Sequence, residues 1–288
     1  MIFSFQNFKE SQIASNDHYA VIGHPISHSL SPAMHQTALD YHGIDAAYVA
    51  LDVRQNDLTE FIAWCNRDHF RGCNITLPYK KQLLNMVDLL DESAKELQAM
   101  NTIVKEGGKL VGYNTDLYGF ITPLEPYEAF LDGGRAIVFG TGGAAKAVLG
   151  GLERLGYSEV VVVSRRPHKR QIKTASLSVV MAGYENWTDY AEEASIIVNT
   201  TPLGMHPDIH RCPVKDHEAP FLADSVCYDL VYNPLKTRFL RLAESQGAET
   251  LNGIEMLIHQ GNRSFELWTG KQFPLSLVHK ALLKQFER

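Results

Sequence analysis

The stretch Gly140-Thr141-Gly142-Gly143-Ala144-Ala145 has the residue types and spacing for chemistry. It follows the apolar run at 136–139 and opens a stretch, from Lys146 onward, with helical character. Gly140, Gly142 and Ala145 fill the three positions of G-x-G-x-x-G/A. The first allows a tight turn, the second lets a pyrophosphate approach the backbone, and the third lets the helix pack closely on the sheet. N–H groups at a helix start, together with the helix dipole, then hold phosphates. With a strand before it and a helix after it, the pattern points to a dinucleotide site rather than a plain turn.

The next strand selects the nucleotide. Sites for NAD place Asp or Glu about 20 residues beyond the glycines to bind the ribose 2′-hydroxyl. Here EVVVV ends in Ser164-Arg165-Arg166, with His168, Lys169 and Arg170 close behind. The carboxylate is missing, and guanidinium groups that can pair with a 2′-phosphate stand in its place. NADP is the expected cofactor.

The N-terminal half carries three polar clusters after predicted strands, where open α/β sheets place ligands. The first is His24-Pro25-Ile26-Ser27-His28-Ser29-Leu30-Ser31-Pro32. Ser29 and Ser31 stand just before a predicted helix and suit a carboxylate, while Ser31 equally suits a plain N-cap. His24, His28 and His35 have no supporting carboxylate or cysteine cluster, so no metal is expected. The second cluster is Asn74-Ile75-Thr76-Leu77-Pro78-Tyr79-Lys80, with Asn74 and Thr76 on one side of the strand and Lys80 starting a helix. The third, Asn114-Thr115-Asp116, opens another helix. By residue type alone, Lys80 and Asp116 do not stand out from ordinary solvated charges.

These clusters need elements to hold them. Short apolar runs alternate with helical stretches throughout, and the runs are continuous rather than alternating, as in strands buried on both faces of a parallel sheet. YAVIG, AAYVALDV and GCNITLP are strands of a first α/β unit; helices follow over SPAMHQTALDYHG, QNDLTEFIAWCNRD and KKQLLNMVDLL. A hairpin turns at Gly107–Gly108. Prolines and glycines near 122–134 mark a break. RAIVFG, EVVVVS, ASIIVNT and VCYDLVY are strands of a second unit, and two helices close the chain. The expected fold is α/β in two domains: a mostly parallel substrate domain over 1–125, completed by helices at about 253–288, and a Rossmann-type NADP-binding domain over 126–252.

Bulk properties narrow the class. The 288 residues are 45% hydrophobic with a net charge of −6, which gives no electrostatic reason for a nucleic-acid partner. No apolar run is long enough to cross a bilayer, and the N-terminus reads as a short polar extension rather than a signal peptide. The four cysteines form no Cys-x-x-Cys pair, which fits a reducing cytoplasm. Monomer and homodimer are both open.

Taken in order, G-H-P-I-x-H-S-L-S-P, N-I-T-L-P-Y-K, N-T-I-V, G-Y-N-T-D, G-T-G-G-A-A-K-A, N-T-T-P-L-G-M, D-L-V-Y-N-P and N-G-I-E-M-L-I-H-Q resemble the shikimate dehydrogenase family from about residue 19 to 270. The resemblance implies NADPH-dependent, reversible reduction of 3-dehydroshikimate to shikimate, with Lys80 and Asp116 as the catalytic pair. It implies that Ser29 and Ser31 hold the substrate carboxylate, that Asn74, Thr76, Asn101 and Gln260 bond the ring hydroxyls, and that Tyr232 lies near the substrate. For the cofactor it implies Gly140, Gly142, Gly143, Ala144, Ala145, Thr200 and Gly253, with Ser164, Arg165, Arg166 and Lys169 toward the adenosine phosphate. Two positions depart from the family pattern. Gln98 stands where the family has a glycine with backbone freedom, and Ser164-Arg165-Arg166 replaces Asn-Arg-Thr. A quinate/shikimate dehydrogenase and a non-catalytic metabolite-binding paralogue are the alternative readings.

Overall fold

The computed structural model describes residues 1–131, 133–169, 172, 174 and 176–286, apart from the side chain of Lys169. The Lys169 side chain and Arg170, both expected in the basic loop, therefore lie outside the described residues. The chain forms two compact units, one of Met1–Thr115 with the segment from Gln260 onward, the other of Asp116–His259. These divisions fall at 115/116 and 259/260, against 125/126 and 252/253 from the sequence.

The first unit holds a seven-stranded sheet of β1 (Ile2–Ser4), β2 (His18–Gly23), β3 (Ala47–Asp52), β4 (Phe70–Ile75), β5 (Leu89–Leu90), β6 (Thr102–Glu106) and β7 (Lys109–Tyr113). Their order is β1-β3-β2-β4-β6-β7-β5, parallel except that β6 runs antiparallel to β4 and β7. The β6–β7 turn is the expected one: Gly107 and Gly108 have φ +56° and +81°, the pair of positive values a two-residue hairpin turn needs. Helices α1 (Phe5–Lys9), α2 (Ser31–Tyr41), α3 (Leu58–Cys65) and α4 (Glu92–Leu97) belong to this unit.

Two expectations fail here. The N-terminal segment is not a polar extension: β1 pairs in parallel with β3, and Phe5 and Phe8 are buried against Phe61 and Trp64. Three aromatic residues in the first eight supply the apolar area that docks it. The segment 80–90 is not a helix either. It is a turn, a single 3-10 turn at Gln82–Asn85, and then β5, whose Leu89 pairs with Val111. Lys80 thus sits in a turn rather than at a helix start.

The second unit holds α5 (Asp116–Ile121), β8 (Arg135–Phe139), α6 (Gly143–Arg154), β9 (Glu159–Val163), β10 (Ser178–Ala182), β11 (Ala194–Asn199), β12 (Val226–Asp229), α7 (Arg238–Ser245) and β13 (Glu249–Asn252). Its strands run β10-β9-β8-β11-β12-β13, all parallel. Counted within the unit this is 3-2-1-4-5-6, the order of a dinucleotide-binding sheet, with the loop after β8 at the point where the order reverses. Apolar clusters cover both faces, which explains the continuous apolar strands. The sequence missed β10 and β13, the two edge strands, of which β13 (ETLN) carries a single large apolar residue.

Helices α8 (Gly253–Thr269) and α9 (Leu275–Phe286) end the fold. In the first unit, Trp268 of α8 donates its indole N–H to the Ile103 carbonyl at 2.9 Å. A Cβ at Gly72 would lie 2.3 Å from that indole nitrogen, so this glycine is what lets α8 close on the sheet. Gln98 ends α4 with φ 49° and ψ 42°. The left-handed conformation costs a residue with a Cβ about 1–2 kcal/mol, part of which glycine returns through the entropy of its unfolded chain. Gln98→Gly should therefore raise unfolding stability by about 0.5–1 kcal/mol in urea melts; an unchanged or lower midpoint would refute the strain.

Candidate active site

The first unit brings most of the predicted substrate residues to one end of its sheet. Strands β2, β3 and β4 end there because they are parallel, while antiparallel β6 begins there, with Asn74 paired to Thr102. A Cβ on Gly23 would lie 2.7 Å from the Thr76 methyl and 3.0 Å from the Leu77 carbonyl. Its absence lets the loops after β2 and β4 lie side by side, joined by His24 N–H to Leu77 C=O at 3.2 Å. The Lys80 carbonyl accepts from the Met100 N–H at 2.8 Å, which fixes the lysine's backbone against the approach to β6.

Ser31 does not cap α2. Leu30 is the N-cap residue and makes no side-chain cap bond; Ser31 is the first helical residue and gives its N–H to the Ser29 hydroxyl at 3.3 Å. Both serines thus stand at the N-terminus of an 11-residue helix, the place that favours an anion. The Ser31 side chain is also within hydrogen-bond reach of the buried Tyr48 phenol, which donates to Asn74 Oδ1 at 2.6 Å.

Asn74 is 5% exposed, and its amide is already engaged: Nδ2 donates to the Ser264 hydroxyl at 2.9 Å, Thr102 Oγ1 at 3.2 Å and the Asn101 carbonyl at 3.3 Å. It reaches the predicted end of the sheet as a buried linker. Asn101, 2% exposed, gathers more strands still. Its N–H goes to Tyr113 and its carbonyl receives Ile75 N–H at 2.7 Å. Oδ1 takes the Thr115 N–H at 2.8 Å, and Nδ2 donates to Thr115 Oγ1 at 2.9 Å and Gln260 Oε1 at 3.3 Å. Thr76, Lys80 and Gln260 are half-buried.

In the second unit the glycine loop behaves as its spacing predicts. Gly140 has φ +108°, and a Cβ there would lie 2.6 Å from the Thr200 hydroxyl. Thr200 itself is held to the end of β8 through Phe139 C=O at 2.7 Å. Gly142, Gly143 and Ala144 are exposed, whereas Ala145 is buried against the sheet. Added Cβ atoms at Gly142 and Gly143 would meet nothing within 4 Å, and the Gly142 N-cap has no side-chain cap bond. This open cradle at the start of a 12-residue helix fits a pyrophosphate. Past β9, the Ser164 hydroxyl accepts the Arg166 N–H at 3.2 Å, and Arg165 and Arg166 are exposed. At Gly253 a Cβ would lie 2.2 Å from the Leu230 carbonyl, so the lack of a side chain there lets α8 start against the end of β12. Asp116 begins α5, and Tyr232 follows β12 half-buried, its phenol pushed up by burial. Among the described residues no group of three His, Cys, Asp or Glu could hold a metal.

The sequence missed Asp229, Tyr48 and Ser264. Asp229 is fully buried and accepts from Asn199 Nδ2 (2.9 Å), Val231 N–H (3.0 Å) and Thr237 Oγ1 (2.6 Å). Asn199 in turn caps the following loop through Thr201 N–H and Leu203 C=O. No periodicity marks such a residue; its presence in D-L-V-Y-N-P was the only signal.

Family models match both ends of the chain: the shikimate dehydrogenase substrate binding domain over residues 21–103 and the shikimate 5'-dehydrogenase C-terminal domain over 253–283. A shikimate dehydrogenase (NADP(+)) of Symbiobacterium thermophilum is 38% identical over 276 residues, covering 93% of this chain and 94% of that protein. The chain belongs to the shikimate dehydrogenase family. The motif resemblance is thereby confirmed, as is the α/β fold with a Rossmann-like half. The Thermus thermophilus shikimate 5-dehydrogenase, solved in complex with NADP(H) and shikimate, superposes with a TM-score of 0.79 at 33% identity, covering 93% of this chain and 99% of that one. The ligand-free 5-ketofructose reductase of a Gluconobacter species gives 0.82 at 25% identity, covering 94% and 99%.

Burial pushes the Asp229 carboxyl up to about 6, against the pull of its bonds from Thr237, Val231 and Asn199. The native protein then keeps this proton to higher pH than the unfolded chain, so the group's stabilisation is full below about pH 4 and lost as pH rises through about 6. Asp229→Asn, which cannot ionise, should gain in melting temperature relative to wild type between pH 4.5 and 7. A constant difference across that range would refute it.

Proposed function

We propose that this protein is an NADP-dependent shikimate dehydrogenase that reduces 3-dehydroshikimate to shikimate and runs in reverse. The observation that carries the reading is the near full-length similarity to curated proteins of that name, combined with a polar cluster at the sheet end that suits a hydroxylated carboxylic acid. The first unit is taken as the substrate half and the second as the nucleotide half. Among the described residues no helix is long and apolar enough to cross a membrane, and we place the enzyme in the cytoplasm, as a monomer or homodimer.

Ser29 and Ser31 hold the carboxylate by hydroxyl donors at the N-terminus of α2, where the helix dipole adds to the attraction. Asn74, Thr76, Asn101 and Gln260 fix the ring oxygens, so that the carbonyl is presented in one orientation. When bound, NADPH supplies the hydride. Lys80 stabilises the negative charge that develops on the carbonyl oxygen and passes that oxygen a proton from Nζ. Asp116, the second member of the proposed catalytic pair, accepts a hydrogen bond from a ring hydroxyl. The open cradle at Gly142 and Gly143 takes the pyrophosphate, and Arg165 and Arg166 take the 2′-phosphate.

Following NADP+ and NAD+ reduction with shikimate and with quinate tests this on one sample; shikimate with NADP+ should be fastest. No turnover in any pairing would overturn the proposal and favour a metabolite-binding paralogue. Lys80→Ala should lower kcat by about 100-fold or more with KM for shikimate little changed. A variant that keeps most of its turnover would remove Lys80 from the chemistry.

A further inference from the structure

Between β8 and β11 the strand order of the second unit reverses, so the loops after those two strands border the crevice for a dinucleotide. One is the Gly140 turn, and the other is the loop at 200–204. They adjoin: a Cβ on Gly140 would lie 2.6 Å from the Thr200 hydroxyl. Each half of such a sheet takes one mononucleotide. The glycine turn and the basic loop after β9 belong to the half that suits the adenosine phosphate. The nicotinamide side therefore falls to β11, β12 and the loop at 200–204.

Thr200, Thr201 and Leu203 are half-buried, and the loop's main chain rests on the fully buried side chain of Asn199. Asn199 Oδ1 accepts the Thr201 N–H at 3.0 Å and the Thr201 hydroxyl at 2.7 Å, and Nδ2 donates to the Leu203 carbonyl at 3.3 Å. The Thr201 N–H can only donate and the Leu203 carbonyl can only accept, so the amide has one orientation. Beneath the loop, Nδ2 also donates to Asp229 Oδ1 at 2.9 Å. The same carboxyl takes the Val231 N–H at 3.0 Å and the Thr237 hydroxyl at 2.6 Å, which ties it to the segment after β12 and to the start of α7.

We infer that Asp229 is a positioning residue for the nicotinamide half of NADP: it clamps Asn199, and through Asn199 it holds the loop at 200–204 in the shape that half meets. This rests on the cofactor reading of the proposed function. Asp229 acts through Asn199 rather than on the cofactor, because it is fully buried and its bonds to Asn199, Val231 and Thr237 are all within the protein. Those three bonds run to β11, to the segment after β12 and to α7. The adenosine half is held elsewhere, by the glycine turn, the start of α6 and the loop after β9, so losing the clamp affects one half of the cofactor.

Equilibrium binding of NADP+ and of 2′,5′-ADP, which has the adenosine and the 2′-phosphate but no nicotinamide, tests this, with folding followed by urea midpoint. Asp229→Ala should raise Kd for NADP+ by about fivefold or more, the factor that one lost hydrogen bond is worth, and leave Kd for 2′,5′-ADP unchanged. Asp229→Asn keeps an accepting oxygen for Asn199 and Val231, and should bind NADP+ like wild type. Asn199→Ala breaks the same link from its other end and should reproduce the Asp229→Ala pattern; it carries the test if Asp229→Ala does not fold. Wild-type affinity for NADP+ in a folded Asp229→Ala or Asn199→Ala protein overturns the inference. So does equal weakening of both ligands, which means a general loosening of the unit, or an Asp229→Asn protein as weak as Asp229→Ala. A wild-type protein that binds neither ligand overturns the cofactor reading itself, and this inference with it.

Discussion

The first unit depends on how Asn101 is held. Its main chain joins Ile75 at the end of β4 to Tyr113 at the end of β7, and its side chain grips Thr115 and Gln260. Three chain segments far apart in sequence are thereby fixed at one end of the sheet, in a dry region where each polar group needs a partner. A buried amide left without one costs about 1–3 kcal/mol, so the arrangement resists rearrangement. The half-buried Thr76, Lys80 and Gln260 inherit their positions from it.

The second unit uses a different constraint for a similar end. Its strand order opens a crevice beside β8, and Gly140 makes the turn there because no side chain fits beside Thr200. Asp229 then secures the loop after β11 from beneath, drawing Asn199 and the N-cap residue of α7, Thr237, to one carboxyl. Backbone geometry forms the cradle, and buried polar groups set the loops around it.

Likeness to both shikimate dehydrogenases and a 5-ketofructose reductase shows that this architecture is not tied to one ketone. Under the proposed function, discrimination falls to the polar groups at the end of the first sheet.

Much of this was legible in the residues. The glycine spacing, the missing acid after EVVVV, the hairpin at Gly107–Gly108 and the two-unit α/β plan all follow from local rules of turn geometry, charge and periodicity. The strain at Gln98 was legible too, since a residue with a Cβ stands where glycine is the rule. What local rules could not supply depends on partners distant in the chain. Phe5 and Phe8 are buried only because α3 lies opposite, and Leu89 becomes a strand only because Val111 is beside it. Ser31 leaves the cap position because helix α2 begins one residue earlier than its composition suggests. Asn74 shares one side of the strand with Thr76, but its bond to Ser264, 190 residues away, is set by the fold alone. The sequence determined which groups the protein has for binding a nucleotide and a hydroxy acid. Tertiary structure decided which of them are buried in hydrogen bonds within the protein, because such a bond is satisfied by whatever the fold brings within reach, and sequence distance plays no part in that.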